Sequence, residues 1–108
     1  MSKYHNRKTT YYGETFDSQK EADYWLYLKA EERAGNITDL KRQMKFELVP
    51  KMSGEYRSER AVYYVADFTY YDKAGKWHVV DVKGMKTELY KLKRKLMLYR
   101  KGISVEEV

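Results

Sequence analysis

The stretch Val62-Tyr63-Tyr64-Val65-Ala66-Asp67-Phe68, followed beyond Asp72-Lys73-Ala74-Gly75 by Val79-Val80-Asp81-Val82-Lys83-Gly84, decides the fold. Both runs are rich in β-branched and aromatic residues, which suits strands, and the connection between them is rich in turn formers. Side chains alternate between the faces of a strand, so Asp81 and Lys83 emerge on the same side. A hairpin turning about Lys73 and Ala74 sets Asp67 nearly opposite Asp81. Like charges directly opposite each other in a sheet are destabilising by a few tenths to about 1 kcal/mol. The usual compensation is a divalent cation between the two carboxylates.

Upstream, Asp17-Ser18 opens a helix expected over Gln19 to Ala34. Ser18 and Glu21 have the spacing of a capping box, Ala22, Trp25, Leu26 and Leu28 supply an apolar face, and Gly35 is a stop. Lys3 to Thr15 reads as a basic arm or short hairpin around Gly13. Met44 to Val49 alternates as a strand and Pro50 ends it. Lys51 to Arg60 reads as a loop or hairpin tip, followed by strands about Ala61 to Tyr71 and Trp77 to Lys83. A second helix is expected over Glu88 to Lys101, with Leu89, Leu92, Leu96 and Tyr99 facing the core and Gly102 as its stop. Ile103-Ser104-Val105 is the last short strand. The expected class is α+β, one domain over residues 1–108, with core order α-β-β-β-α-β around a mixed central sheet flanked by helices.

A chain of 108 residues buries one core. With 43% hydrophobic residues it is too apolar for a disordered chain. No apolar run approaches the roughly 20 residues of a membrane span. Met1-Ser2-Lys3-Tyr4-His5 lacks the apolar core of a signal peptide, and the absence of cysteine excludes disulfides and thiolate zinc sites. A reducing, cytoplasmic setting is expected, without membrane association. The 22 Lys and Arg against 16 Asp and Glu leave a net charge of +6, which suits a polyanionic partner such as nucleic acid.

Asp67, Asp81 and Lys83 form the leading chemical constellation. Two carboxylates beside the backbone carbonyl of Val82 are hard oxygen ligands suited to Mg²⁺ or Mn²⁺. Lys83 beside them is placed to orient a water or to stabilise developing charge. The plainer alternative is an Asp81–Lys83 salt bridge along one strand. Glu21 is a third carboxylate on this reading, and a capping residue on the alternative one. Lys86, Lys91, Arg94 and Lys95 on the second helix, with Arg7 and Lys8 in the arm, suit phosphate contacts that position a strand without reading its sequence. The alternatives there are a solvated helix face and a frayed terminus. His5 and His78 have no metal-ligand spacing around them.

Ala66-Asp67 with Asp81-Val82-Lys83 resembles the signature of the PD-(D/E)xK nuclease superfamily, with alanine in place of proline. The element order is similar to that superfamily's restriction-endonuclease-like core. Nearly the whole chain resembles small phage-encoded members. The matching pieces are Lys3-Tyr4-His5-Asn6, Gly13, Phe16-Asp17-Ser18, Glu21-Ala22, Ala34-Gly35, Asp39-Leu40, Gln43, Phe46, Ala66-Asp67-Phe68 and Asp81-Val82-Lys83-Gly84. The resemblance implies that Asp67 and Asp81 are metal ligands, that Lys83 is the catalytic lysine, and that Glu21 matches the first-helix glutamate of Holliday-junction-resolvase-like branches. Gln43 is then a contact to the site or to DNA. The activity implied is Mg²⁺-dependent DNA endonucleolysis, with branched or recombination intermediates as the preferred substrate. A homodimer would supply two sites for two cuts. The alternative function is a non-catalytic DNA-binding or assembly module using the same basic surface.

Overall fold

The computed structural model describes residues 8–11, 13–82 and 84–108. Strands β1 (Thr9–Tyr11) and β2 (Glu14–Phe16) pair antiparallel as the hairpin expected around Gly13, whose φ of 81° suits a residue without a side chain. Helix α1 (Gln19–Arg33) is capped by Ser18, whose Oγ accepts from the Glu21 amide at 3.1 Å. Ala22, Trp25 and Leu28 are its buried face, and Leu26 is half-buried.

The main sheet has four strands in the order β3 (Ile37–Val49), β6 (Val62–Asp72), β7 (Trp77–Asp81), β8 (Glu106–Glu107). The first three are antiparallel, and β8 lies parallel to β7. Strands β4 (Met52–Ser53) and β5 (Ser58–Glu59) make a small separate hairpin between β3 and β6, within the stretch expected as a loop or tip. Helix α2 (Glu88–Lys101) bridges β7 and β8. The protein is therefore a mixed α+β fold with two helices and a mixed four-stranded sheet.

Successive residues of a strand face opposite sides, and the packing shows it. Val80 joins Phe68 and the α1 residues in one core, whereas Val79 joins Tyr64, Leu48, Tyr90 and Met97 in a second core with α2. The helices thus cover opposite faces of the sheet. Alternation breaks within β6, because Phe68 belongs to the first core but Tyr64 and Ala66 to the second. The break falls where Gln43 of β3, between the Arg42–Phe68 and Met44–Ala66 pairs, takes a φ of 56°.

Three sequence expectations need correction. Strand β3 begins at Ile37 rather than Met44; its first half is disguised by charged residues and by a register shift between Thr38 and Lys41, with Asp39 at φ 56°. The last strand is Glu106–Glu107, not Ile103 to Val105. Ile103 and Val105 pack into the second core, while the glutamates pair with Val80 and Asp81 and find cationic or hydroxyl partners. Finally, α2 buries Tyr90 and Met97, leaving Leu89, Leu92 and Tyr99 exposed and Leu96 half-buried. Tyr90 and Arg94 both reach Glu107, at 2.7 Å each, and Tyr90 and Met97 pack with Leu48, Tyr64 and Val79 in the second core.

Candidate active site

The β6–β7 turn is built by Asp72, whose Oδ1 accepts from the amides of Ala74 (2.9 Å) and Lys76 (3.0 Å), with Gly75 at φ 84°. That turn sets the register Tyr71↔Trp77 through Phe68↔Val80, and one further step brings Asp67 beside Asp81. The expected juxtaposition is what the structure contains. The two carboxyls share a hydrogen bond, and Asp67 Oδ2 also accepts from the Val82 amide at 2.8 Å.

Burial dominates the electrostatics here. Asp81 is 2% exposed, and the Tyr64 hydroxyl donates to its Oδ2. Burial, the hydrogen bond to Asp81 and the Asp81 charge push the Asp67 carboxyl up to about 8; the Val82 amide opposes this and the Glu21 charge adds to it. The pair therefore favours sharing a proton. Burial and the Asp81 carboxylate likewise raise the Tyr64 hydroxyl far above its ordinary range, so it remains a donor.

Glu21 sits on the first turn of α1 and is 3% exposed. Burial raises its pKa, as do the charges of Asp17 and Asp81, while the Asp17 amide and Arg42 pull it down. Its Oε2 accepts from Gln43 Nε2 at 3.3 Å and lies 3.8 Å from an Arg42 nitrogen. Glu21 thus acts electrostatically on both aspartates without joining their hydrogen bond. Its backbone amide is capped by Ser18, and its carboxylate turns to Asp17, Gln43 and Arg42, so both readings of this residue hold in part.

Among the described residues, no group of three or more His, Cys, Asp or Glu gathers in a way that could hold a metal ion. The structure brings together Asp67 and Asp81 and keeps Glu21 as a neighbour. The chemistry of the pair fits a divalent cation: two hard-oxygen groups held against each other share a proton when no cation is bound, and a cation between them lets both ionise. Val82 shows its amide engaged with Asp67. Lys83 and Arg7 lie outside the described residues.

Two residues were missed by the sequence reading. Tyr64 holds Asp81, although regular alternation would put it on the face away from that aspartate; only the break near Gln43 brings it round. Arg42 ties the N-terminal hairpin to the site: its guanidinium pairs with Glu14 at 2.7 Å, donates to the Thr15 carbonyl at 3.2 Å and lies 4.0 Å from the centroid of the Phe16 ring. No short-range signal in the sequence marks either role.

The candidate DNA-contacting cations are mostly engaged within the protein. Lys86 and Arg94 both pair with Glu107, Lys91 pairs with Glu88, and Lys8 with Asp17. Lys95 is exposed and makes no ion pair among the described residues. Gln43 is exposed but directs its amide to Glu21. Among the described residues, no helix is long and apolar enough to cross a membrane.

No curated protein matches the chain, and no solved structure matches it. A family model described as a protein of unknown function, DUF1064, matches residues 1–105, and the chain belongs to that family.

Proposed function

We propose that the protein is a metal-dependent DNA endonuclease, of the PD-(D/E)xK type that the sequence resembles. One observation carries this reading: the carboxyls of Asp67 and Asp81 lie in hydrogen-bond contact at the end of the paired stretch of β6 and β7, Asp81 buried and Asp67 half-buried, both under the charge of Glu21. A structural role does not call for two acids placed against each other. The element order α1, β3, β6, β7, α2, β8 and the basic composition support the same reading.

Asp67 and Asp81 would hold Mg²⁺ or Mn²⁺, with Glu21 and the Val82 carbonyl as further oxygen donors. When bound, such an ion stabilises negative charge on a phosphodiester oxygen and makes a water more acidic. Tyr64 keeps Asp81 oriented, and the Val82 amide does the same for Asp67. Lys83, two residues beyond Asp81, is the group to orient the attacking water. Water adds to phosphorus, the bond to one ester oxygen breaks, and the departing alkoxide takes up a proton.

The test is supercoiled plasmid incubated with protein and Mg²⁺. The wild type should nick or linearise it, EDTA should stop the reaction, and Asp81→Ala should bind DNA without cutting. Undiminished cutting by Asp81→Ala would defeat the assignment. A plasmid left intact by the wild type, with binding indifferent to EDTA, would instead describe a DNA-binding module.

A further inference from the structure

Asp81 lies in the lining of a groove of about 280 Å³ between β6 and the first turn of α2. Tyr63, Tyr64, Val65, Leu89, Tyr90 and Lys93 line it with Asp81. Val65 and Leu89, both in its lining, are large apolar side chains left 43% and 61% exposed. Tyr63 adds an aromatic surface, with Lys45 Nζ 4.0 Å from its ring centroid. A larger hollow lined by Lys20, Asp23, Tyr24 and Tyr27 on α1 includes neither member of the aspartate pair.

We propose that the groove beside Asp81 holds an unpaired nucleotide of the DNA strand adjoining the cleaved phosphate, so that the protein prefers single-stranded or splayed DNA to continuous duplex. This rests on the nuclease reading of Asp67 and Asp81 and names the substrate class of that site. Apolar and aromatic walls suit the flat face of a base, and Lys93 and Lys45 supply positive charge for its flanking phosphates. In a continuous duplex both faces of each base are already covered by neighbouring bases, so only an unpaired one offers a face to Leu89, Val65 and Tyr63. The volume, near the roughly 300 Å³ lower limit of small-ligand pockets, suits one nucleotide and not a double helix.

The test measures binding in EDTA, so it needs neither metal nor cleavage. Fluorescence anisotropy would compare a labelled oligothymidylate with a labelled blunt duplex, using the full chain. The wild type should favour the single strand by about tenfold, and Leu89→Ala and Val65→Asp should each remove most of that preference, with duplex affinity held within about twofold. Both positions are exposed, and unchanged thermal melts would show the variants folded. Equal affinity of the wild type for the two probes, or variants that bind the single strand as well as the wild type, would overturn the proposal. So would a concentration-dependent dimer in sedimentation that Leu89→Ala dissolves, because a second copy would then occupy the groove. A plasmid and a splayed substrate both left intact with Mg²⁺, despite the expected binding pattern, would sink the nuclease reading instead. Continuous duplex cut as fast as splayed strands would sink only the groove.

Discussion

At the turn end of the β6–β7 hairpin, Asp72 and Glu106 flank the His78 ring; at its open end, Asp67 meets Asp81 carboxyl to carboxyl. The same two strands carry both clusters. At the turn end, His78 Nε2 lies 2.8 Å from Asp72, its Nδ1 bonds Glu106 of β8, and its ring stacks on Tyr70. Burial works against the charged imidazole, but the bonds to Asp72 and Glu106 outweigh it and raise the pKa. The bond to His78 and the Lys76 amide in turn lower that of Asp72. Each acid there has a basic partner, and the cluster fastens β8 to the sheet. At the open end, burial and a like neighbour push Asp67 the other way. The turn end places opposite charges together and steadies the fold, whereas the open end holds like groups together at a cost in stability, as the proposed site requires.

The comparison breaks most sharply in cleavage. Asp81→Asn should lower plasmid cutting by about 10³-fold or more, through loss of transition-state charge stabilisation, whereas His78→Gln should stay within about twofold. Comparable losses in the two variants would erase the distinction between the ends.

Stability comes next. Asp67 binds its proton more tightly in the folded state, with its pKa raised from 3.8 to about 8. Below that lower value both states are protonated. Between the two, the unfolded chain releases a proton that the native state keeps, so stability falls as pH rises and levels off above about 8. Asp67→Asn should therefore be more stable than the wild type at pH 8, by an amount on the order of a few kcal/mol, and the gap should close toward pH 4. Urea titrations across that range would read it.

On the proposed nuclease reading, Mg²⁺ would compete with the same proton. In thermal melts it should stabilise the wild type by about 1–3 kcal/mol at pH 8, when present well above its Kd. The effect should nearly vanish at pH 5 and be absent from Asp67→Asn. Equal stabilisation at both pH values would argue against a proton-for-cation exchange at the pair.

The smallest effect belongs to the other end. His78 is raised above its ordinary 6.5, so its contribution is complete below that value and is lost as pH rises through the native pKa. The partner Asp72 is lowered from 3.8, so its share is lost only as pH falls through its own native pKa. His78→Gln should cost about 1 kcal/mol at pH 6 and clearly less at pH 9, with opposite pH dependence to that of Asp72→Asn near pH 3.

Much of the site was legible because its register is a local matter. Asp72 and Gly75 make a turn of definite length, and a hairpin of fixed register carries Asp67 to Asp81 whatever else the chain does. The helix signals at Ser18 and Gly102 are local in the same way. Arg42, Tyr64 and the buried side of α2 were not legible. Arg42 depends on a hairpin 27 and 28 residues away in sequence, and Tyr64 on a break of alternation at Gln43. For α2, a stripe of leucines at helical spacing lost to Tyr90 and Met97, which pack with Leu48, Tyr64 and Val79 on a sheet face that the helix's own periodicity does not reveal.

The amino-acid order alone determined the β6–β7 hairpin, the caps at Ser18 and Gly102 and the meeting of two aspartates, since each follows from turn chemistry and period-two alternation over a few residues. Only tertiary packing decided which face of α2 is buried, how Tyr64 reaches Asp81, where Glu21 points and how high the Asp67 pKa rises. Those depend on the dielectric and on partners supplied from distant parts of the chain, which no local pattern encodes.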